Sequence, residues 1–261
     1  CSTHNYLLFF TNRGRVYWLR ALEIPDVGIA GRGKSINNLI EFQPDESVTS
    51  VMAVKDFGEN RYIVMLSTAG LIKKTRLDEF KNIRRGGIIA INLRPKSQLL
   101  WTRLTDGKRD IVIATKLGKA IRFKESDIRA MGRQATGVRA MSLAKKDEVI
   151  GMVAVGDEDK YIFTASQKGY GKKTETSFYR RQRRGGKGLI NLKITPKIGN
   201  ALEVLGIAEE DLLIVTEFGK VIRINTKQVR ASGRVTQGVR IIQIEEKDRV
   251  CSVAKARENS E

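Results

Sequence analysis

The chain has 261 residues, with 48 Lys or Arg against 29 Asp or Glu, and its formal net charge is +19 at pH 7. Hydrophobic residues make up 41% and there are only four prolines, which excludes a disordered tail and a collagen-like rod. So large a positive excess predicts a polyanionic partner: nucleic acid first, then an anionic membrane surface or an acidic protein.

The two cysteines, Cys1 and Cys251, have no Cys or His neighbour at metal-ligand spacing. We therefore expect no metal site, and a reducing, cytoplasmic compartment. The longest apolar runs are far short of the roughly 20 residues that a membrane span needs, so no membrane partner is predicted. The sequence opens directly on a strand-like segment without a leader, which predicts a piece excised from a longer protein.

Along the chain, one unit repeats five times. Each copy has a turn of the form polar-x-x-Gly, and we call its last residue the hairpin glycine. A second glycine, here called the loop glycine, follows 17 to 19 residues later. The hairpin glycines are Gly14, Gly70, Gly118, Gly169 and Gly219, and the loop glycines are Gly33, Gly87, Gly137, Gly188 and Gly238. Two registers held over five copies define a repeat protein.

Apolar β-forming runs precede each hairpin glycine, at residues 6–10, 63–66, 111–114, 161–165 and 212–215. Shorter runs follow it, as at 16–19 and 221–224, so each copy is predicted to form a hairpin. Alternation after the loop glycine, as at 36–42, 89–93 and 239–244, and a run after an acidic turn, as at 149–155, predict two further strands. Four strands in about 50 residues are typical of a propeller blade. The expected fold is one all-β, blade-repeat domain of five four-stranded repeats, near residues 1–55, 56–105, 106–155, 156–207 and 208–255, with a tail at 256–261.

Positive charge is concentrated between the two glycines of each copy. These five windows hold 26 basic and 7 acidic residues, whereas the rest of the chain holds 22 of each. Because the windows are equivalent in every blade, we predict a ring of cations that meets duplex DNA repeatedly as it bends, with strong, salt-sensitive and weakly sequence-specific binding. The predicted rim contacts are Arg32, Lys34, Lys73, Lys74, Arg84, Arg85, Arg122, Lys124, Arg129, Arg133, Lys172, Lys173, Arg180, Arg181, Arg223, Arg230 and Arg234.

The densest window ends in a glycine-rich basic string, here called the box. It consists of Gln182, Arg183, Arg184, Gly185, Gly186, Lys187 and Gly188. Its glycines let backbone N–H groups approach a phosphate, and its arginines can fork onto phosphate oxygens.

The box resembles the signature box of the C-terminal domain of gyrase A, the DNA-cleaving component of DNA gyrase. The resemblance extends along nearly the whole chain, through residues 12–17, 122–126, 129–132 and 136–139. It implies a β-pinwheel, a propeller variant whose blades exchange strands, that wraps DNA with positive handedness so that the parent enzyme introduces negative supercoils. It further implies a bacterial, nucleoid-associated A2B2 complex, in which the N-terminal part of gyrase A and the partner protein gyrase B are the other components. That complex uses ATP and Mg²⁺, whereas this domain needs no cofactor.

The resemblance has two departures from the family pattern. Gyrase usually shows six blades with the box in the first, whereas this chain has five copies with the box in the fourth. We interpret this as the absence of the family's first blade from the chain. The related C-terminal domain of topoisomerase IV, which is often five-bladed with degenerate boxes, is the nearest alternative. A propeller-like scaffold for acidic protein partners is a second.

Residues 28–35 satisfy the phosphate-loop pattern G-x-x-x-x-G-K-S and suggest an NTPase when taken alone. That loop functions between a strand and a helix, and the repeat predicts a β run at 36–42 instead. Arg32 and Lys34 are therefore assigned to the DNA-binding set.

Catalytic residues are not predicted in this chain. His4 is the single histidine, and no paired carboxylates stand out. By the resemblance, the cleavage and ATP-hydrolysing groups of a type IIA topoisomerase lie in other domains. We assign the aromatic side chains in strand context to packing: Tyr6, Tyr17, Tyr62, Tyr161, Trp18 and Trp101. Tyr170 and Tyr179 flank the box loop, and for them packing is favoured over contact with DNA.

Overall fold

A computed structural model of the chain describes residues 2–28, 31, 33–58 and 60–256. Each of its five sheets is built on a hairpin whose turn is the polar-x-x-Gly motif. The regular elements of these residues are nineteen β-strands and six short 3-10 helices. No helix in this part of the chain is long and apolar enough to cross a membrane. The all-β prediction is confirmed.

The strands in chain order are β1 (Tyr6–Thr11), β2 (Arg15–Arg20), β3 (Val48–Val54), β4 (Tyr62–Ser67), β5 (Leu71–Arg76), β6 (Ile88–Ile89), β7 (Leu99–Thr105), β8 (Asp110–Thr115), β9 (Lys119–Lys124), β10 (Val138–Arg139), β11 (Val149–Val155), β12 (Tyr161–Ser166), β13 (Tyr170–Glu175), β14 (Leu189–Ile190), β15 (Ala201–Ile207), β16 (Asp211–Thr216), β17 (Val221–Asn225), β18 (Val239–Arg240) and β19 (Val250–Lys255). The 3-10 helices are Ala21–Glu23, Ile36–Asn38, Leu77–Phe80, Glu125–Asp127, Thr176–Phe178 and Thr226–Gln228.

Neighbouring repeats exchange strands. The sheets have the orders β3-β1-β2-β6, β10-β5-β4-β7, β11-β8-β9-β14, β15-β12-β13-β18 and β17-β16-β19. In the first four sheets, three strands come from one repeat and the two-residue fourth strand comes from the next repeat. The fifth sheet has three strands among the described residues, so four of the five sheets have the four strands predicted for a blade. This exchange follows the β-pinwheel expectation.

The chain divides into two compact units, residues 1–108 with 128–139, and residues 109–127 with 140–261. The first unit contains the first two sheets, and the second unit contains the other three. Residues 128–139 of the third repeat belong to the first unit because their strand β10 pairs with β5. The discontinuous boundary thus follows directly from strand exchange.

The donated strands are much shorter than predicted. The β-ladder ends after two residues because the next two backbone amides both donate to one carbonyl, that of the hairpin glycine in the preceding repeat. Ala90 and Ile91 donate to Gly14 O at 2.8 and 3.1 Å, and residues 191–192 and 241–242 repeat the arrangement on Gly118 and Gly169. Ala90 and Ile91 are buried. The alternation of apolar and polar residues that predicted a long strand therefore arises because apolar residues are buried in a turn that follows a short strand.

The strand predicted at residues 36–42 is wrong. A three-residue 3-10 helix, Ile36–Asn38, stands there, capped by the Ser35 hydroxyl, which accepts from the amide of Asn37 at 3.3 Å. The corresponding segments of later repeats are strands only where a preceding hairpin pairs with them, and no described strand pairs with this one.

Each hairpin glycine has a positive φ, from 69° to 85°. Its N–H donates to the carbonyl of the polar residue three positions earlier, as from Gly118 to Thr115 at 2.9 Å. Glycine adopts this left-handed conformation without steric cost, which completes a tight turn into the return strand. The hydroxyl of Thr115 donates to Asp147 at 2.7 Å, and Thr11 donates to Glu46 at 2.9 Å. The acidic turns predicted from the sequence therefore brace the hairpin turns.

Each unit has its own hydrophobic core. In the first unit, Leu8, Phe10, Ile63, Met65 and Phe80 are fully buried together. In the second unit, apolar clusters form around β8 and β12 and around β16 and β19. The hairpin strands supply many of these side chains, and the loops that lead to the loop glycines lie at the surface.

Candidate nucleic-acid interface

The loop glycines fix the basic loops against the hairpin of the preceding repeat. Gly137 has a φ of 94°, and a Cβ at this position would lie 2.5 Å from the Ile72 carbonyl oxygen. Gly188 has a φ of 72°, and a Cβ there would lie 2.5 Å from the Ala120 carbonyl oxygen. Since neither the conformation nor the space admits a side chain, the backbone of each loop is set by its contact with the neighbouring β-strand.

More than half of the predicted DNA contacts are exposed, and the exposed ones lie on these loops except for Lys124 and Arg223, which are on strands. Within the first unit, Arg84, Arg85 and Arg129 are exposed and Arg133 is half-buried. Lys34 is exposed in the first repeat, whereas Arg32 lies outside the described residues. Within the second unit, the exposed cations are Lys124, Arg180, Arg181, Arg183, Lys187, Arg223 and Arg230, and the half-buried ones are Arg122, Arg184 and Arg234.

The box forms a loop whose backbone is hydrogen-bonded on both sides. The Gly185 amide donates to Ala140 O at 2.6 Å, and the Ser142 amide donates to Gly186 O at 2.9 Å. Gly185 has a φ of 85°, a conformation that favours glycine. At Gly186 a Cβ would lie 3.5 Å from Ile121, an ordinary contact distance, so this position does not require glycine. Gly185 and Gly188 are therefore the box glycines that the backbone conformation demands, and Gly188 also makes the close approach to the preceding repeat.

Fixing the box backbone leaves two of its cations directed to solvent. Arg183 and Lys187 are exposed, and within the described part of the chain their side chains make no hydrogen bond or ion pair. Arg184 instead donates from Nε to Asp127 O at 3.1 Å. The Gln182 side chain is half-buried, and its backbone amide donates to Arg122 O at 2.7 Å. The loop thus combines a rigid backbone with cations that a phosphate can reach.

Two predicted contacts share a carboxylate. Asp110, at the start of β8, is buried and accepts from Arg122 at 2.6 Å and from Arg181 Nε at 2.9 Å. Arg122 also donates to the carbonyls of Thr176 and Tyr179. Arg122 is therefore a support for the chain leading into the box, whereas Arg181 has an exposed side chain above the same carboxylate.

Buried polar side chains connect the residues before and after the box by hydrogen bonds. The Tyr179 hydroxyl donates to Asn191 Oδ1, and the Asn191 amide donates to Thr164 at 3.0 Å. All three side chains are buried, and burial raises the pKa of Tyr179. The packing role predicted for Tyr179 agrees with this position. Tyr170 is also buried, and its hydroxyl accepts from Arg240 at 3.2 Å.

Four of the predicted contacts need correction. Lys73 and Lys172 are 0% exposed, and Lys74 and Lys173 are also buried. Lys74 and Lys173 lie over the rings of Tyr62 and Tyr161, at 5.0 and 4.8 Å from the ring centroids. Since Lys73 and Lys172 are fully buried and Lys74 and Lys173 nearly so, a direct contact of these four side chains with DNA phosphate does not agree with the structure.

Burial lowers the pKa of Lys73 and of Lys172 to about 7, because desolvation disfavours the charged form. The guanidinium groups of Arg133 and Arg234 lower the pKa of Lys73 and Lys172 further, respectively, whereas the Glu79 carboxylate raises that of Lys73.

A basic groove of about 680 Å³ in the first unit was not predicted. The side chains that line it include Arg15, Trp18, Lys81, Arg84 and Arg133. Arg15 and Lys81 were missed because the predicted contacts came from the densest basic strings. The sequence feature that could have identified Arg15 is its position immediately after a hairpin glycine. This position places the side chain beside the loop of the next repeat.

Comparison with known proteins places this arrangement in a family. The sequence matches the family model described as DNA gyrase C-terminal domain, beta-propeller, at residues 5–55, 61–106, 109–155, 160–199 and 210–256. The chain belongs to this family. The five matched segments fall on the five repeats, so the resemblance inferred from the box and the loop motifs is confirmed.

Relatives of this gyrase-family chain extend the match over its full length. The gyrase A protein of Staphylococcus aureus (strain NCTC 8325 / PS 47) is 40% identical over 263 residues, which cover 100% of this chain and 30% of the relative. The chain therefore spans about a third of the length of the curated relatives it matches.

Two solved structures share the fold of the gyrase-family chain. A DNA gyrase A C-terminal domain gives a TM-score of 0.84 at 26% identity, over 98% of this chain and 83% of that one. A topoisomerase IV C-terminal domain gives a TM-score of 0.89 at 28% identity, over 97% of this chain and 79% of that one. The backbone of this chain is thus similar to both C-terminal domains.

Proposed function

We propose that this chain is the DNA-wrapping domain of a bacterial type IIA topoisomerase of the gyrase kind. In this proposal it binds duplex DNA along its basic loops and bends it, so that the parent enzyme introduces negative supercoils. The observation that carries the proposal is the box loop, whose backbone is fixed while Arg183 and Lys187 remain exposed and without a protein partner among the described residues.

The contacts expected of this interface are electrostatic. Each exposed cation neutralises a phosphate and releases counterions, which favours binding without reading the base sequence. Bending a stiff duplex costs several kcal/mol, of order 1–6 by elastic estimates, so several contacts are required to offset it. The repeat supplies them because the loop between its two glycines carries exposed cations in both units.

The parent assembly is part of the proposal. In an A2B2 complex, the N-terminal part of gyrase A together with gyrase B would supply strand cleavage and the ATP and Mg²⁺ chemistry, with the chain acting on nucleoid DNA in the bacterial cytoplasm. Within the described residues no cluster of three or more His, Cys, Asp or Glu could hold a metal ion. A topoisomerase IV-like DNA clamp is the second candidate, favoured by the TM-score of 0.89.

A topological assay tests the proposal. Nicked circular plasmid is ligated with increasing amounts of the chain, the protein is removed, and the linking number is measured on chloroquine gels. Chiral wrapping gives a positive shift that fades as salt increases. Tight binding without a shift supports the topoisomerase IV-like function instead, and absence of DNA binding refutes both and favours the protein scaffold.

A further inference from the structure

The third residue after a hairpin glycine lies on the return strand, close to the loop that the following repeat lays against it. We call each such contact a junction, and the structure describes four of them. The residues at this position are Tyr17, Lys73, Ile121 and Lys172. A fully buried lysine at two of four equivalent sites is unexpected, because burial of a lone ammonium is costly.

These two lysines, here called the clamp lysines, bind backbone carbonyls of the following repeat's loop, and Lys73 also binds a carbonyl of its own repeat. Lys73 Nζ donates to Ala90 O at 2.6 Å and to Arg133 O. Lys172 Nζ donates to Gly233 O at 2.8 Å and to Arg234 O at 2.6 Å. An ammonium group has three hydrogen-bond donors and no acceptor. Each clamp lysine therefore supplies a donor to at least two backbone carbonyls at a buried position.

The loop on the other side of each junction varies together with this residue. Tyr17 and Ile121 face loops containing Arg-Arg-Gly-Gly, at residues 84–87 and 183–186. The clamp lysines face loops without that string, Gly-Arg-Gln-Ala-Thr-Gly at 132–137 and Gly-Arg-Val-Thr-Gln-Gly at 233–238.

Each kind of loop is held by a different donor. The Gly185 amide of the box donates to Ala140 O at 2.6 Å, whereas in the second repeat the equivalent Ala90 O accepts from Lys73 at 2.6 Å. At the first junction Arg15 Nη2 donates to Gly86 O at 2.6 Å and to Gly87 O at 3.1 Å. A lysine clamp therefore stands where the loop lacks the paired glycines of the box.

We propose that Lys73 and Lys172 are positioning residues for DNA binding, which hold the backbone of the following loop so that Arg133 and Arg234 face the duplex. The inference rests on the proposed function and deepens it. It assigns the loops at 132–137 and 233–238 the same task as the box, with a buried ammonium in place of the glycine amide. The neighbouring lysines of each doublet, Lys74 and Lys173, lie over the rings of Tyr62 and Tyr161 instead.

The test compares two double variants that each replace two buried lysines of the same doublets. Lys73→Met with Lys172→Met removes the clamps, and Lys74→Met with Lys173→Met is the matched control. Binding of the full chain to a fluorescent linear duplex is measured as a function of salt. The slope of log K against log salt is expected to fall by about two in the clamp variant, about one for each loop arginine displaced, and to stay near the wild-type slope in the control.

A second background separates positioning from a merely structural effect. In a chain carrying Arg133→Ala and Arg234→Ala, removal of the clamp lysines is expected to cause no further fall in slope, because the groups they position are gone. A fall as large as in the wild-type background would overturn the inference, as would equal slopes for clamp and control variants. Wild-type chain that does not bind DNA would instead refute the proposed function.

Folding of each variant is followed by thermal melting. If the Met variants unfold, Lys73→Gln with Lys172→Gln carries the same comparison, since the amide NH2 keeps two donors without the charge. With these variants, restoration of the wild-type slope shows that hydrogen bonding to the carbonyls positions the loops. A slope equal to that of the arginine-free background, in a folded protein, shows that the amide does not replace the clamp and that the ammonium charge is required. A slope that also falls in the arginine-free background overturns the inference.

Discussion

Replacing Arg183 and Lys187 by Ala removes the two box cations that have no protein partner among the described residues. Arg184 is left in place because its Nε donates to Asp127 O and its loss would alter the loop. The box backbone is held by hydrogen bonds from Gly185 and Ser142 that neither substitution touches. We therefore expect the fold to be unchanged and DNA affinity to fall.

The size of the effect follows from counterion release. Each phosphate neutralised contributes about 0.9 to the slope of log K against log salt, so loss of two contacts lowers the slope by about 1.8. Over a fourfold change in salt, from about 50 to about 200 mM, the ratio of wild-type to variant affinity should shrink by about twelvefold. Fluorescence anisotropy of a labelled duplex, titrated at several salt concentrations, measures both slopes.

The matched control removes two exposed cations of the same unit from acidic turns, Lys145→Ala with Lys247→Ala. These turns brace the hairpins and lie outside the loops between the two glycines. The control should retain the wild-type slope. If the box variant and the control give the same slope, the reasoning that places phosphate at the box is refuted, whatever their absolute affinities.

Three further predictions concern stability. Asp110→Asn leaves Arg122 and Arg181 without their carboxylate and should lower the free energy of unfolding in urea by about 2 kcal/mol, less than for a fully buried pair because Arg181 is exposed; an unchanged midpoint would contradict the shared ion pair. Gly137→Ala places a Cβ at a positive φ and against a backbone carbonyl, and it should lower the free energy of unfolding by at least about 2 kcal/mol. Gly132→Ala, where nothing lies within 4 Å, should change it by less than about 0.5 kcal/mol. Equal losses of stability would refute the close approach at Gly137. Each clamp lysine has a pKa of about 7 in the folded chain, against about 10.4 unfolded, so the unfolded chain binds more protons between these values and stability should rise with pH from about 7 to about 10. Thermal melts should show this rise diminished in the double Met variant, and an identical rise would count against the lowered pKa.

The sequence was sufficient for the hairpins and their order because these depend on local physics. A polar residue followed three positions later by glycine specifies a turn that needs φ above zero, and the apolar run before it specifies the strand. The acidic turns were also predicted, but their hydrogen bonds to the hairpin turns, such as that of Thr115 to Asp147, were not. Strand exchange could not be obtained in this way, because a two-residue strand such as β6 pairs with a hairpin more than 70 residues earlier in the chain and leaves no local pattern.

The interface was predicted less completely, for a related reason. A doublet such as Lys73-Lys74 on a return strand resembles a surface cluster when only its charge is considered. Alignment of the repeats would have shown that Lys73 occupies the position of Ile121, which is apolar and buried. What the sequence could not supply was the acceptor, since the carbonyl of Arg133 comes from the next repeat.

The junctions show how one backbone contact is maintained with different residue types. The box loop brings its own donor, the Gly185 amide, and needs only an apolar Ile121 behind it, where the glycines can approach. At the two junctions whose loops lack paired glycines, a long side chain that ends in three donors binds the loop carbonyls instead. In the proposed arrangement charge is divided between two tasks: buried lysines hold the loop, and the loop arginines, which lie beside Glu79 and Ile190 O in the structure, contact the phosphate. If this is so, a count of basic residues overstates the number of contacts with DNA, because the buried lysines are not among them.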